Sequence, residues 1–462
     1  MADFDSGRSQ PGSARSPGVS VQDVLRHESK TQAVPAPLLQ ESYEFLGDED
    51  IPFERYTSQA FHRREVEQLW SRVWQLACRV DDIPHPGDQF IYDIADLSVL
   101  IVRGEDSEVR AFPNACLHRG RLLRSEAGRA PSIRCPFHGW NWTLDGRLKT
   151  LPSEWDFPHV DKAKFCLPKV HVAEWRGMIF VSMADLPLPF EAFIAELESH
   201  FAAFPEPPHG RRKIAHVAAV IDCNWKVAME AFVEGYHGPA THPQMAYYVG
   251  DVNTQYDTFG DHVSRMISLE AVPSPIMTVE VPAAQTLATM AYDLGVGMGN
   301  DVPVSEGQSA RDAMADHLRA VAAMATGSDT SGLSNAEVLE AVQYHLFPNI
   351  MPWAGILPMI YRFRPNGNDV DSCIVDLMLL APAGPEPVEA PAVRWLERNP
   401  DWCTAFEFGA LGPIFNQDMQ NLPLVQKGMR TSRKAGATLA NYQEIRVRHM
   451  HRTLDKYLEG ML

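Results

Sequence analysis

Two matched pairs of residues carry the first chemistry that can be read from this chain. Cys116 and His118 form a CxH pair in CLHRG, and Cys135 and His138 a CxxH pair in CPFHGW, with sixteen residues between the pairs. Each pair fits one loop tip. Together they supply two thiolates for one iron and two imidazoles for the other in a two-iron, two-sulfide cluster, a ligand set that raises the potential above that of an all-cysteine cluster. Gly120 and Gly139 follow the histidines, and a residue without a β-carbon lets the backbone pass close to the cluster. Zinc accepts the same atoms, but a zinc finger segregates its cysteines from its histidines. Here each half holds one of each, which favours the cluster. No cysteine lies between Cys116 and Cys135 or beside His138 to tie the two loops by a disulfide, which predicts a lower-potential centre that passes electrons onward. Cys78, Cys166, Cys223, Cys373 and Cys403 read as ordinary core or surface thiols.

A second constellation lies in NWKVAMEAFVEGYHGPATHP, residues 224–243. Glu234 and His237 are three apart, which predicts one helix face. His242 follows five later, an offset that points away on a continuous helix, so the break expected at Gly238-Pro239 must swing it back. Two such histidines lack only a carboxylate for a facial 2-His-1-carboxylate site, which leaves positions open on Fe(II) for dioxygen and substrate. Two histidines satisfied by backbone hydrogen bonds are the plainer alternative, but Glu234 beside them and a cluster motif upstream favour metal. One turn before a metal-binding histidine, Glu234 is placed to orient its ring. Met229, Phe232 and Val233 on the same helix, with Phe347, Ile350 and Trp353 further on, are candidates to line a mostly apolar pocket.

These residues must be positioned by surrounding elements. Residues 1–40, rich in Ser, Gly, Pro and Gln without apolar period, read as a flexible tail. Residues 41–83 read as a helical segment packed on the main body, because Phe61, Val66, Leu69, Trp70, Val73 and Trp74 recur at roughly helical spacing. Short apolar runs broken by turns over 84–183 predict a small antiparallel β domain. The remainder, 184–462, contains strand-like runs at 214–221, 355–363 and 372–380 and helix-like text at 224–236, 416–429 and 442–458. Strands with segregated helices predict α+β. The Ala- and Met-rich stretch 282–341 reads only as helices and loops near a variable surface.

A length of 462 residues allows two domains. The net charge of −18 argues against a basic nucleic-acid surface, and no apolar run is long enough for a membrane span. An odd count of seven cysteines does not resemble a secreted disulfide framework. With no charged-then-apolar leader before Arg8, the reading is cytoplasmic. There is neither a GxGxxG fingerprint nor a second cluster motif, so electrons must come from elsewhere.

With PGDQF, NACLHRG, CPFHGWNW, EWRGMIFV, FVEGYH, LFPN and QDMQNLPLVQKGM in that order, the chain resembles, from about residue 52 to 458, the α subunit of Rieske non-haem iron oxygenases, the aromatic-ring-hydroxylating oxygenases. The resemblance implies an antiparallel β Rieske domain beside a helix-grip catalytic domain in which an antiparallel sheet holds a long helix. It assigns the [2Fe-2S] cluster to Cys116, His118, Cys135 and His138. It assigns the mononuclear Fe(II) to His237, His242 and Asp418, the last of which nothing else in the sequence selects from 59 acidic residues. It further implies a head-to-tail homotrimer, with or without a small β subunit, in which Glu234 bridges His237 to the partner's His138. Electrons from NAD(P)H would arrive through a ferredoxin and/or a flavin reductase. The reaction would be mono- or dihydroxylation, or oxidative demethylation, of an apolar, aromatic or polycyclic substrate with O2. Many relatives carry Asp where this chain has Glu234 and Asn where it has Ala231, and Ala231 makes the pocket roomier. The rival reading is a Rieske electron carrier with one metal centre and no oxygen consumption.

Overall fold

The structure is a computed structural model that describes residues 10–16, 18–297, 302–327, 329–355 and 359–462. Its organising element is an eight-stranded sheet. In spatial order the strands are Gln255–Phe259, Val263–Ser268, Ala341–Leu346, Ile350–Pro352, Met359–Asn366, Asp369–Pro382, Arg211–Ile221 and Arg394–Trp395. All neighbours are antiparallel except the last pair. Arg211–Ile221 runs against Asp369–Pro382 from Arg211 opposite Pro382 to Ile221 opposite Cys373, with a register shift around Ile214. Alternation decides what each face holds. Tyr361 and Phe363 turn to one face, where they meet Phe232. Arg362 turns to the other and donates to the carbonyls of Leu76 and Ala77.

The helix Ile445–Leu458 has most of its side chains buried and packs on the first two strands of this sheet, the gripped arrangement that an α+β helix-grip domain requires. On the opposite face, Asp376 accepts from Arg362 and Arg364, each at 3.0 Å, and pairs with His216 at 2.9 Å. Burial pushes the Asp376 carboxyl up, but the two guanidiniums hold it well below the usual carboxylate range. That paired layer joins the two lobes.

The cluster lobe contains a four-stranded antiparallel sheet, in the order Val109–Pro113, Leu97–Arg103, Asp88–Ile94 and Gly128–Arg129. A small three-stranded sheet of Ile133–Arg134, Asn141–Trp142 and Leu148–Thr150 stands with it. A further sheet pairs Met178–Ser182 with His171–Trp175 and with Gln75–Arg79. The last strand lies inside the segment 41–83 that reads as helical. It is buried at all five residues, so it shows no alternation for a pattern argument to find.

The N-terminal reading is corrected more substantially. Residues 1–9 and 17 lie outside the described residues, but Val21–Glu28 is a helix with a Ser20/Asp23 capping box, and Val21, Leu25 and Leu38 are buried in the main core. Buried Arg265 explains the docking: its guanidinium donates to the carbonyls of Pro37 and Gln40. Those acceptors belong to the segment that composition alone reads as unable to pack. The stretch 282–341 resolves into helices Ala283–Asp293, Ala310–Thr326 and Asn335–Leu339, and these build a satellite core around Leu287, Met290, Met314 and Val338. Among the described residues no helix is long and apolar enough to cross a membrane.

Candidate functional site

Asn224 caps the helix Trp225–Glu230 by accepting from the backbone N–H of Lys226 at 3.1 Å. That helix ends before Glu234, so Glu234 and His237 do not share a helix face as the spacing predicts. They meet across a turn instead. Glu234 Oε1 lies 2.7 Å from His237 Nδ1, and Oε2 accepts the His237 backbone N–H at 3.0 Å. Gly238-Pro239 does not stop a helix either. It opens the single turn Gly238–Thr241, with Pro239 among its first residues, where a missing N–H costs nothing. That turn brings His242 back toward His237.

The carboxylate comes from the helix Gly412–Thr431, whose buried residues include Phe415, Asp418, Met419, Leu422 and Gln426. Asp418 therefore sits within an inward-facing stripe. Its Oδ1 lies 2.8 Å from His242 Nε2 and 3.4 Å from His237 Nε2. One ligand atom from each of the three residues falls within 4.8 Å of the others. Both rings are held from behind: His237 Nδ1 by Glu234, and His242 Nδ1 by Gln417 Oε1 at 2.8 Å. An Nδ1–H donated to each acceptor leaves both Nε2 lone pairs facing Asp418. The donor set thus fits a 2-His-1-carboxylate iron site.

The electrostatics agree with a cation at this point. Burial works against a charged His237, but hydrogen bonds to Asp418 and Glu234 outweigh it and hold the ring up at about 10. Burial pushes Asp418 up, while His237 and His242 pull it below its ordinary value. A divalent cation replaces that imidazolium proton, so metal uptake releases a proton and strengthens as pH rises.

An aromatic wall stands beside the triad. Tyr361 packs edge-on against Phe415 at 5.8 Å and against Phe232 at 5.5 Å. Burial, and then the charge of Asp418, raises the Tyr361 phenol. Of the pocket residues predicted from sequence, Phe232 joins this wall, and Trp353 touches it through Tyr361 at 5.8 Å. Met229 and Val233 are fully buried, and Ala231 is partly so. The Phe347 ring stacks on Tyr457 of the gripped helix at 5.4 Å. Ile350 sits in a sheet strand opposite Arg362. Tyr361, Phe363 and Phe415 went unpredicted, although the alternation of Tyr361 and Phe363 in a strand-like run carried the signal.

The two cluster loops are closed alike. Gly120 and Gly139 donate to the carbonyls of Cys116 and Cys135 at 2.9 and 3.1 Å, while the Cys116 and Cys135 N–H groups donate to Arg121 and Trp140. The glycines stand at φ +73° and +75°. An added β-carbon at Gly120 would meet no protein atom within 4 Å, so its left-handed backbone is what the protein part of the loop requires. Cys116 and Cys135 are buried, whereas His138 is exposed. The His118 and His138 rings lie 4.6 Å apart, and Trp140 stacks flat on His118 at 5.2 Å. The two cysteines thus face the core, while His118 is half-buried against Trp140 and His138 reaches the surface.

Behind Glu234 lies a network that the sequence does not reveal. Burial raises the Glu230 carboxyl to about 8, and it accepts from Tyr56 Oη at 2.9 Å, with His451 Nε2 also at 2.9 Å. One turn earlier, fully buried Lys226 and Glu65 pair at 2.6 Å.

Comparison with known proteins follows this geometry. Residues 73–161 match the model of the Rieske [2Fe-2S] domain, and residues 209–460 that of the ring hydroxylating alpha subunit (catalytic domain). The glycine betaine monooxygenase oxygenase subunit of Pseudomonas aeruginosa (strain UCBPP-PA14) is 31% identical over 199 residues, 42% of this chain and 45% of that protein. The chlorobenzene dioxygenase subunit alpha of Cupriavidus sp. (strain PS12) is 32% identical over 191 residues, 40% of this chain and 42% of the relative. The matched stretch thus spans less than half the length of these curated relatives. Among solved structures, a quaternary ammonium Rieske monooxygenase in complex with L-carnitine superposes with a TM-score of 0.60 at 17% identity, covering 88% of this chain and 95% of that one. Naphthalene 1,2-dioxygenase from Rhodococcus sp. bound to indole gives 0.59 at 20%, covering 88% and 94%. At such identities these structures establish the fold alone. With a matched Rieske domain ahead of a matched catalytic domain, this chain belongs to the ring-hydroxylating oxygenase α subunits, a family that carries a Rieske [2Fe-2S] cluster and a mononuclear iron.

Proposed function

We propose that the chain is the terminal component of an O2-dependent hydroxylase. Cys116, His118, Cys135 and His138 hold the cluster, and His237, His242 and Asp418 hold Fe(II). The observation that carries this reading is the convergence of those three side chains with each histidine anchored from behind. Bound there, ferrous iron supplies open positions for dioxygen. Asp418 balances its charge, Gln417 and Glu234 fix the ring orientations, and the wall of Phe232, Tyr361 and Phe415 excludes water and seats the substrate.

Electrons are passed between protomers of a head-to-tail trimer. Both ends of that route lie at the surface: exposed His138 beside exposed Phe137, and half-buried His237 and Glu234 beside exposed Tyr236. Glu234, already bonded to His237, has a carboxylate that can also accept from the partner's His138. A ferredoxin and/or flavin reductase recharges the cluster, and no β subunit is required for this step. The substrate is an apolar or aromatic molecule, because ring edges and faces line the approach to Asp418. A second reading is a quaternary ammonium substrate, since an aromatic wall also attracts an onium cation and matched relatives include enzymes named for glycine betaine and carnitine.

Substrate-dependent oxygen uptake by the purified, chemically reduced protein tests both. Uptake with small arenes supports the first reading. Uptake with trimethylammonium compounds alone selects the second, and uptake with neither, in a protein that lacks the mononuclear iron, returns the chain to the electron-carrier reading.

A further inference from the structure

A second cavity lies on the reverse face of the catalytic sheet. Its volume is about 310 Å³, near the lower end of small-molecule sites, roughly 300–1,000 Å³. Most of it lies on the far side from the triad, since Ile360 shares a face with Arg362 whereas Tyr361 and Phe363 turn toward Phe232, but at its edge it is also lined by Met359 and by Trp353, which packs on Tyr361. Its walls come from both lobes. Arg79, Arg176 and Met178 belong to the sheet that joins the cluster lobe, while Ile360 and Leu380 belong to the catalytic sheet, with Phe201, Phe204 and Leu333 closing the sides.

The charges on these walls are nearly all matched. Arg79 is bound to Asp81 at 3.1 Å, Arg176 to Glu206, and Glu337 accepts from the Ser334 N–H at 2.8 Å in its own helix cap. Asp329 accepts from the Ser331 N–H at 2.9 Å. Arg211 is the exception. Among the described residues no carboxylate oxygen lies within 4 Å of its guanidinium; the Glu206 carboxylate acts on it from further off but is already paired with Arg176, and the charges of Arg176 and Arg79 also bear on it. A cavity with apolar walls and one guanidinium that has no carboxylate in direct contact is complementary to a short apolar chain that ends in an anion.

We propose that this cavity binds an amphiphilic carboxylate, with the carboxylate on Arg211 and the chain against Met178, Leu333 and Ile360. The occupant would touch both lobes, so it also staples one to the other. Its anion-binding end is set apart from the triad, because Arg211, opposite Pro382, lies on the sheet face of Arg362.

Octanoate is the probe, titrated calorimetrically into the iron-loaded full-length protein, with octyltrimethylammonium as the charge-reversed control. We expect octanoate to bind and the cation not to compete. Arg211→Gln should weaken octanoate by roughly tenfold or more, the value of a charge-assisted hydrogen bond, and Leu333→Trp, which fills the cavity, should abolish binding. Arg211 is only partly buried, so the first variant remains informative if the second misfolds. Octanoate should still bind Asp418→Ala protein lacking the mononuclear iron. Equal affinity for wild type and Arg211→Gln, equal binding of the cation, no binding at all, or binding lost in Asp418→Ala would each overturn the proposal.

Discussion

Glu234 touches His237 twice, through the ring at 2.7 Å and through the backbone N–H at 3.0 Å, so its work is to orient that ring. Glu234→Gln should therefore leave iron and sulfide contents unchanged and lower substrate-dependent turnover about 10–100-fold, as loss of an orienting partner does. Asp418→Ala differs in kind, because it removes a charge from the donor set. It should lower the iron content from about three to about two per chain at constant sulfide, which metal analysis and the electron paramagnetic resonance of the cluster check together. Glu230 is a stability residue. Its buried carboxyl titrates near 8 in the fold, above its ordinary value of 4.5, so the native state retains a proton that the unfolded chain has released. Stability from this group is full below the unfolded value and is lost as pH rises through the folded one, at up to about 1.4 kcal/mol per pH unit. Denaturation at pH 6 and 8 should show a smaller loss in Glu230→Gln than in wild type.

At the level of elements, the short helix Trp225–Glu230 is fixed by a buried ion pair. Lys226 and Glu65 are both fully buried and 2.6 Å apart, which ties the first metal-binding segment to the N-terminal helix Gln59–Glu65. Removing one partner leaves a buried charge uncompensated. Lys226→Met should thus cost about 3–5 kcal/mol, while adding Glu65→Leu should recover much of it, an outcome that urea denaturation of the two variants distinguishes. The helix Gly412–Thr431 could be located from sequence, but the significance of Asp418 lay in its phase. It falls in the same stripe as Phe415, Met419 and Leu422, and a carboxylate in such a stripe must find a partner inside. Which face of that helix is buried is decided by tertiary packing, so from sequence only the resemblance selected Asp418.

For the whole molecule, the N-terminal forty residues are part of the folded body from Ser20 onward. Val21, Leu25 and Leu38 are buried, each contributing about 1.5–3 kcal/mol, and the segment supplies carbonyls to Arg265. Deleting residues 1–40 should lower stability by several kcal/mol on this scale, seen as a lower thermal midpoint with the cluster still bound. Assembly is tested at the other end of the molecule. Phe137 is 57% exposed beside His138, and Tyr236 is 56% exposed beside His237. If these patches meet across protomers, Phe137→Glu should shift the sedimentation of the holoprotein from trimer toward monomer, and should slow oxidation of the reduced cluster by substrate and O2 without altering its spectrum.

The amino-acid sequence by itself determined the chemistry of the cluster, because CxH and CxxH close local loops whose ligands are set by spacing within a few residues. It also determined the α+β class, through strand and helix periods that are local properties of the chain. Tertiary structure alone decided the rest. The Glu234–His237 contact is made by a turn where spacing predicts a helix, and the proline that reads as a stop begins the turn carrying His242. The aromatic wall required the face of a buried strand, and docking of residues 20–40 required an acceptor-seeking arginine more than two hundred positions away. The first two are local in sequence, but whether the chain there runs as helix or turn is set by the packing around it; in the last two the deciding partner is distant, and local pattern contains no information about which distant group will satisfy a buried charge or ring.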